Sequence, residues 1–284
     1  MQHGSKYGRR NPDALLVLFG LPLTQGRTYI EGDRMNTLSM DSHFQNYFDV
    51  LFANTPELLE QVHRIRYDVY CQEFHYEREE DCPGGMERDE YDDHSLQILV
   101  AHKASRIGAG CVRMVRPPLD NSDFLLPMEH HCGYTLNHPE RHPQRIPRNH
   151  LAEISRLAVH TSFRRRLGES ESPLGALHAL DQQERRTFPM VSLALFAGAT
   201  ALLALSQRPH MFVMMEPRLA RRLQSLGFPF VQVGESLDYH GLRAAYHVTI
   251  DECLESWGET MLQVYDFIYS ALQERAVRQG LPFV

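Results

Sequence analysis

The order of strand-like and helix-like runs restricts this chain to few architectures. Tyr47 to Ala53 is a short apolar-rich strand. Pro56 to Tyr70 then carries Leu58, Leu59, Val62, Ile65 and Val69 at helical spacing, with Thr55 as the cap and Pro56 at the first helical position. Ser95 to His102 and Ala109 to Val115 form a hairpin around the turn Ser105-Arg106-Ile107-Gly108. Leu151 to His160 is a strand, Leu174 to Arg186 and Met190 to Ser206 are helices, and Met211 to Met215 is an apolar strand. Pro217 to Leu226 is a helix stopped by Gly227, followed by strands at Phe230 to Val233 and Ala244 to Ile250 and a helix from Glu252 to Gln279. Strand, helix, hairpin, strand, helix, strand, helix, strands describes an α/β domain on a mixed sheet flanked by helices.

Two segments break this rhythm. Residues 1–42 carry scattered Gly, Arg and Pro without periodicity and read as a loosely ordered leader, with Met35 and Met40 as alternative starts. Pro117 to Pro147 holds six prolines and is a long irregular excursion, which in a compact domain usually serves function or stays disordered. The domain proper is expected over 43–250, with 251–284 as a C-terminal helical extension.

Composition excludes several classes. A net charge of -7 argues against a general nucleic-acid binder. Five cysteines, odd in number and without Cys-x-x-Cys, read as reduced thiols of a cytoplasmic protein. The longest apolar run, Met190 to Leu205, is interrupted by Ser192 and Thr200 and is short for a membrane span. Ala14 to Leu23 follows Lys6, Arg9 and Arg10, but Thr24-Gln25-Gly26-Arg27 makes a poor signal cleavage site. His130, His131, His138, His142 and His150 crowd the excursion near Cys132 at no standard metal-ligand spacing, and no metal site is expected.

The chemistry concentrates in Glu87-Arg88-Asp89-Glu90-Tyr91-Asp92 and Glu153-Ile154-Ser155-Arg156. Arg66, Tyr70 and Tyr76 precede the first stretch, and Arg113 lies between the two. Arg66, Tyr70, Tyr76, Asp89, Asp92, Arg113, Glu153 and Arg156 stand at spacings that resemble the acyl-homoserine-lactone synthases and the N-acyl amino acid synthases. Glu216-Pro217-Arg218-Leu219-Ala220-Arg221-Arg222-Leu223-Gln224-Ser225-Leu226-Gly227-Phe228 is similar to the late helix, ended by Gly-Phe, of the GNAT acyltransferase superfamily. The resemblance implies the GNAT fold with an extra C-terminal helix. It also implies an enzyme in which an amine attacks an acyl thioester, with no tightly bound cofactor. Within these synthases the chain looks most like the acyltransferases found with bacterial exosortase (PEP-CTERM) systems.

The residue types suit that chemistry. The amine must lose a proton, and Glu153, on the strand beside the acyl group, is the candidate base. Arg66, Arg113 and Arg156 can grip a substrate carboxylate, with Asp89 and Asp92 orienting them or meeting the substrate ammonium. By resemblance a backbone N–H near Leu157 or Ala158 meets the charge developing on the thioester oxygen. Phe124 to Met128 and the small residues Ala194, Ala197, Gly198, Ala199 and Ala201 are candidates for an acyl tunnel, although most read equally well as core. Leu223 stands where many GNAT enzymes have a tyrosine that protonates the leaving thiolate.

For the donor, Arg165-Arg166-Leu167-Gly168-Glu169-Ser170 is a near miss to the loop that cradles the coenzyme A pyrophosphate. Glu169 and Glu171 set negative charge there, which favours a phosphopantetheine thioester on acyl carrier protein over acyl coenzyme A. Arg164, Arg165, Arg166, Arg218, Arg221 and Arg222 are then the candidate carrier-protein face. The expected function is transfer of a fatty acyl chain from acyl carrier protein to the α-amine of an amino acid. The alternatives are an acyl-homoserine-lactone synthase using S-adenosylmethionine and a non-catalytic GNAT-like sensor. Tyr70 and Tyr76, where the lactone enzymes usually have Phe and Trp, count against the first.

Overall fold

The structure is a computed structural model that describes residues 44–121, 123–164, 189–239 and 241–281. The leader, the loop at 165–170 and the expected helix Leu174 to Arg186 lie outside the described residues.

Strand β1 (Phe48–Phe52) leads into helix α1 (Pro56–Arg66), where Thr55 Oγ1 accepts the Leu58 N–H at 3.4 Å and Pro56 opens the first turn. The hairpin strands are β2 (Ser95–His102) and β3 (Gly108–Val115), and β4 spans Leu151–Val159. Helix α3 (Pro189–Leu205) precedes β5 (His210–Met215), and α4 (Pro217–Gln224) follows it. The short strands β6 (Val231–Gln232) and β7 (Leu237–Asp238) come before β8 (Leu242–Thr249). In the excursion between β3 and β4, a short helix α2 (Pro127–Cys132) is set among single turns, so that stretch is less irregular than its prolines suggest.

The eight strands form one mixed sheet in the order β1-β2-β3-β4-β5-β8-β6, with β7 paired to β8. Every neighbouring pair is antiparallel except β4 and β5. The parallel pair is short: its register runs from Leu151 opposite His210 to Ile154 opposite Val213. Beyond Ile154 the two strands separate, although β4 continues to Val159. A wedge therefore opens in the middle of the sheet.

The expected C-terminal helix is two helices, α5 (Ile250–Ser256) and α6 (Glu259–Gln279). The break falls at Trp257-Gly258, and Trp257 packs its ring against Phe228 at 5.2 Å. Gly227, at φ +87°, ends the chain's turn from α4 against this corner, where an added Cβ would lie 2.9 Å from the Ser256 carbonyl oxygen. Helix α6 buries Met261, Val264, Ile268 and Leu272 in the same core as the sheet. Helix α3 carries no charge and packs between the sheet and α6. Its approach to β3 is set by Gly110, where a Cβ would lie 2.8 Å from the Ala158 carbonyl oxygen and 2.9 Å from Leu195.

Candidate active site

The wedge between β4 and β5 is the apolar end of a cleft. Leu157, Phe196, Ala199, Met211, Met215, Leu219, Leu223, Phe228 and Phe230 line it. Its polar end is formed by Asp89, Arg113, Glu153, Arg156, Tyr70, Tyr91, His131, Tyr239 and Arg243. An elongated amphipathic ligand, apolar at one end and charged at the other, matches that division.

Local sequence fixes the polar side chains. Arg66 closes α1, and a π-helical turn over Tyr67–Glu73 follows, the irregularity that turns Tyr70 toward β4. The Tyr70 hydroxyl donates to the Leu157 carbonyl at 2.9 Å, and burial pushes its pKa up. The Asp-x-x-Asp spacing is a capping box on the single turn Glu90–His94. Asp89 accepts the Tyr91 N–H, and Asp92 accepts the Asp89 N–H, both at 2.9 Å. Both carboxylates are thereby held before any arginine meets them.

Strand β4 carries a bulge. Cys111 faces Ala158 and Arg113 faces Ser155, so Arg156 and Leu157 together oppose Val112. Arg156, the first residue of the bulge, takes the left-handed conformation at φ +50°. The extra residue breaks the ladder at the point where β4 leaves β5. Leu157 lines the cleft there, while Ala158 is fully buried and lies off its wall.

Three arginines and four carboxylates interlock beside the bulge. Arg66 binds Glu87 through Nε, Asp92 through Nη1 at 2.6 Å and Nη2 at 3.1 Å, and Gln97 at 3.4 Å. Arg113 binds Ser155, Asp89 and Asp92. Arg156 reaches Glu77 at 2.9 Å, Glu87 at 3.1 Å and Asp89 at 3.4 Å, and lies over the Tyr70 ring. Burial opposes the charge of Glu87, but Arg156 and Arg66 outweigh it and hold the carboxyl down to about 2. The same balance keeps Asp92 well below the usual carboxylate range and raises Arg66 and Arg156.

The expected carboxylate clamp is therefore narrower than the sequence suggested. Arg66 is fully buried, committed to internal partners and off the cleft wall, so its place is that of a positioning residue. Arg113 and Arg156 do line the cleft. Asp89 lines it as well, and Asp92 does not. Tyr76 also stands off the wall, stacked on Phe74 with the Arg243 guanidinium 5.1 Å over its ring.

Glu153 lies on β4 opposite Phe212, 3% exposed and on the cleft wall. Burial pushes its carboxyl up to about 8, although the Met128 N–H, donating at 2.8 Å, and Arg113 both pull it down. A carboxyl that exchanges its proton near neutral pH, on the last paired stretch of β4 before the bulge and the wedge, suits a general base.

The candidate carrier face is split. Arg165 and Arg166 lie outside the described residues. Arg164 pairs with Glu73 and stacks on Phe74 with its side chain 3% exposed. Arg218 and Arg221 are exposed on α4, with Arg222 half-buried beside them. Sequence reasoning missed Glu77, Tyr91, His131, Tyr239 and Arg243. The last two flank a turn in the β7–β8 hairpin, whose two-residue strand gave no periodic signal; the Asp238-to-Gly241 turn, closed by the Gly241 N–H to Asp238 at 3.2 Å, was the available clue.

A bulged, diverging parallel strand pair is the form of the GNAT fold, and residues 65–170 match the family model described as an acetyltransferase (GNAT) domain, which supports an acyltransferase enzyme. Among solved structures, the chain is similar to BjaI, a CoA-dependent acyl-homoserine lactone synthase with SAM and isopentyl-CoA. The two are 20% identical, with a TM-score of 0.50 over 78% of this chain and 89% of that one. TofI, in a ternary complex with an inhibitor and MTA, is 16% identical, with a TM-score of 0.50 over 79% of this chain and 98% of that one. FeeM, an N-acyl amino acid synthase from uncultured soil microbes, is 14% identical, with a TM-score of 0.47 over 76% of this chain and 97% of that one. The likeness to BjaI and TofI is one of fold. No curated protein matches the chain in sequence. No helix among the described residues is long and apolar enough to cross a membrane.

Proposed function

We propose that the protein transfers a fatty acyl group from a thioester to the α-amine of an amino acid. The observation that carries this reading is the position of Glu153, buried on the cleft wall in the last paired stretch of β4 before the bulge and the wedge. The acyl chain lies in the wedge, its carbonyl against the bulge near Leu157. The amine enters from the polar end, where the Asp89 carboxylate on the wall favours an ammonium group. Asp89 receives that ammonium, and Arg113 or Arg156 meets the substrate carboxylate. Glu153 takes one proton from the ammonium so that the nitrogen can attack, a backbone N–H at the bulge meets the oxyanion, and the C–S bond breaks as the nitrogen's second departing proton goes to the leaving thiolate. Tyr239, on the same wall, is a hydroxyl donor for that sulfur.

Acyl carrier protein is the proposed donor, meeting Arg218, Arg221 and Arg222 on α4, in a cytoplasmic enzyme of the kind found with exosortase systems. A carboxylate on the wall, Asp89, also suits a substrate with a second positive charge. This observation supports a second reading, acyl transfer to S-adenosylmethionine. Purified protein given acyl carrier protein or coenzyme A thioesters, with amino acids or S-adenosylmethionine, tests both readings. Thiol release with a mass-identified N-acyl amino acid is expected; product only with S-adenosylmethionine moves the assignment to the second reading. Absence of thiol release with every pair contradicts both.

A further inference from the structure

A second cavity lies at the opposite end of the parallel strand pair, where β3 ends and β4 and β5 begin. Arg116, His94, Asn149, His150, Ser206 and Arg208 line it. Arg208 is 5% exposed and donates only to backbone carbonyls: Arg148 and Leu151 at 2.9 Å through Nη1, and Pro117 at 3.0 Å through Nη2. Arg116 is half-buried, and among the described residues its guanidinium has neither a hydrogen bond nor an ion pair. The Ser206 hydroxyl is buried without a partner. Arg148, close by, is already matched by Glu129 at 2.7 Å. The one acidic residue on the wall is Asp93, exposed at the rim. Two guanidinium charges therefore share a partly enclosed space with no counter-charge in contact. Burial lowers the pKa of Arg116, and burial together with Arg116 and Arg148 brings Arg208 down to about 10.

We propose that this cavity binds a phosphate group, taken up by the Arg116 guanidinium and the hydroxyl, imidazole and amide donors of Ser206, His94, His150 and Asn149. An oxyanion relieves the unmatched charge and satisfies the buried hydroxyl together. The donors arrive from four separate segments, the end of β3 and the lead-ins to β2, β4 and β5. That spread fits a tetrahedral anion with oxygens in several directions better than a planar carboxylate. The site stands apart from the cleft, and its occupancy does not depend on which acyl transfer the cleft performs.

Thermal unfolding of the full chain tests this with inorganic phosphate, glycerol phosphate and acetate, each against sodium chloride at equal ionic strength. Wild type is expected to gain melting temperature saturably with phosphate and little with acetate. Arg116→Met should need at least tenfold more phosphate for the same gain, while Arg64→Met, which removes a surface charge paired with Glu60, should respond as wild type does. Should Arg116→Met fail to fold, His150→Ala, altering an exposed side chain, must weaken the response instead. A larger gain with glycerol phosphate assigns the site to a phosphomonoester, and a larger gain with inorganic phosphate to the free ion. Equal gains with phosphate and chloride, or an unchanged response in Arg116→Met, overturn the proposal.

Discussion

Arg66, at the end of α1, and Arg208, in the loop before β5, are the same side chain, buried almost equally, and their surroundings drive them in opposite directions. Arg66 meets Glu87 and Asp92, and its pKa rises. Arg208 meets backbone carbonyls and two other arginines, and its pKa falls to about 10. Desolvation opposes the charged form in both; the sign is decided by what charge lies within reach. The compensated cluster is thus a self-contained scaffold that fixes the cleft's geometry, whereas the uncompensated one is complete only with an external anion.

The largest expected effect separates these two roles. Arg66→Met leaves Glu87 and Asp92 buried with one fewer partner and should cost about 3–5 kcal/mol of stability by urea unfolding. A loss below about 1 kcal/mol would mean that the remaining arginines re-pair with them and that the cluster is no scaffold.

Glu153 is the acidic counterpart of Arg208, a buried group whose partners fail to offset desolvation. Its folded pKa, about 8, stands above the unfolded value of 4.5. The unfolded chain therefore releases this proton first as pH rises. The group's contribution is intact below pH 4.5 and is lost progressively up to pH 8. Glu153→Gln should remove that loss and be the more stable protein at pH 9, by a few kcal/mol at most. Parallel stability–pH curves for the two proteins would show that Glu153 is solvated and carries no such shift.

The smallest effect is expected on the other side of the comparison. Arg116→Met, in buffer without phosphate, should change stability by no more than about 0.5 kcal/mol, because no hydrogen bond or ion pair among the described residues is lost. A cost of 2 kcal/mol or more would reveal a partner for Arg116 within the chain and remove the reason for an external anion.

The sequence announced the scaffold more clearly than the cleft. Strands β2 to β5, helix α1 with its Thr55 cap, and the Gly227 stop were legible because each rests on local periodicity or capping. The Asp-x-x-Asp spacing was legible for the same reason, being a local capping box. The break at Trp257-Gly258 was not, because it answers to Phe228, nearly thirty residues away in sequence. The charged residues were recognised correctly as a group, but their division into wall and scaffold was not visible. Arg66 and Arg113 share only Asp92 as a partner: Arg66 closes α1 off the cleft wall, whereas Arg113 stands on β3 opposite Ser155 and lines the cleft. Tyr239 and Arg243 escaped notice because they flank a turn after a two-residue strand that carries no pattern. Arg116 and Arg208 escaped it because an arginine's lack of a partner is a property of three-dimensional space.

The account stands or falls on Glu153 as the base of acyl transfer. Its most direct measurement is the ratio of wild-type to Glu153→Gln turnover, from pH 6 to pH 10, with one thioester and one amine. Taking the ratio cancels the titration of the substrate's own amine. The ratio is expected to rise through about pH 8 and level off at about 10²–10⁴. A ratio near one at every pH would contradict the assignment and leave Glu153 as a buried acid that the reaction does not use.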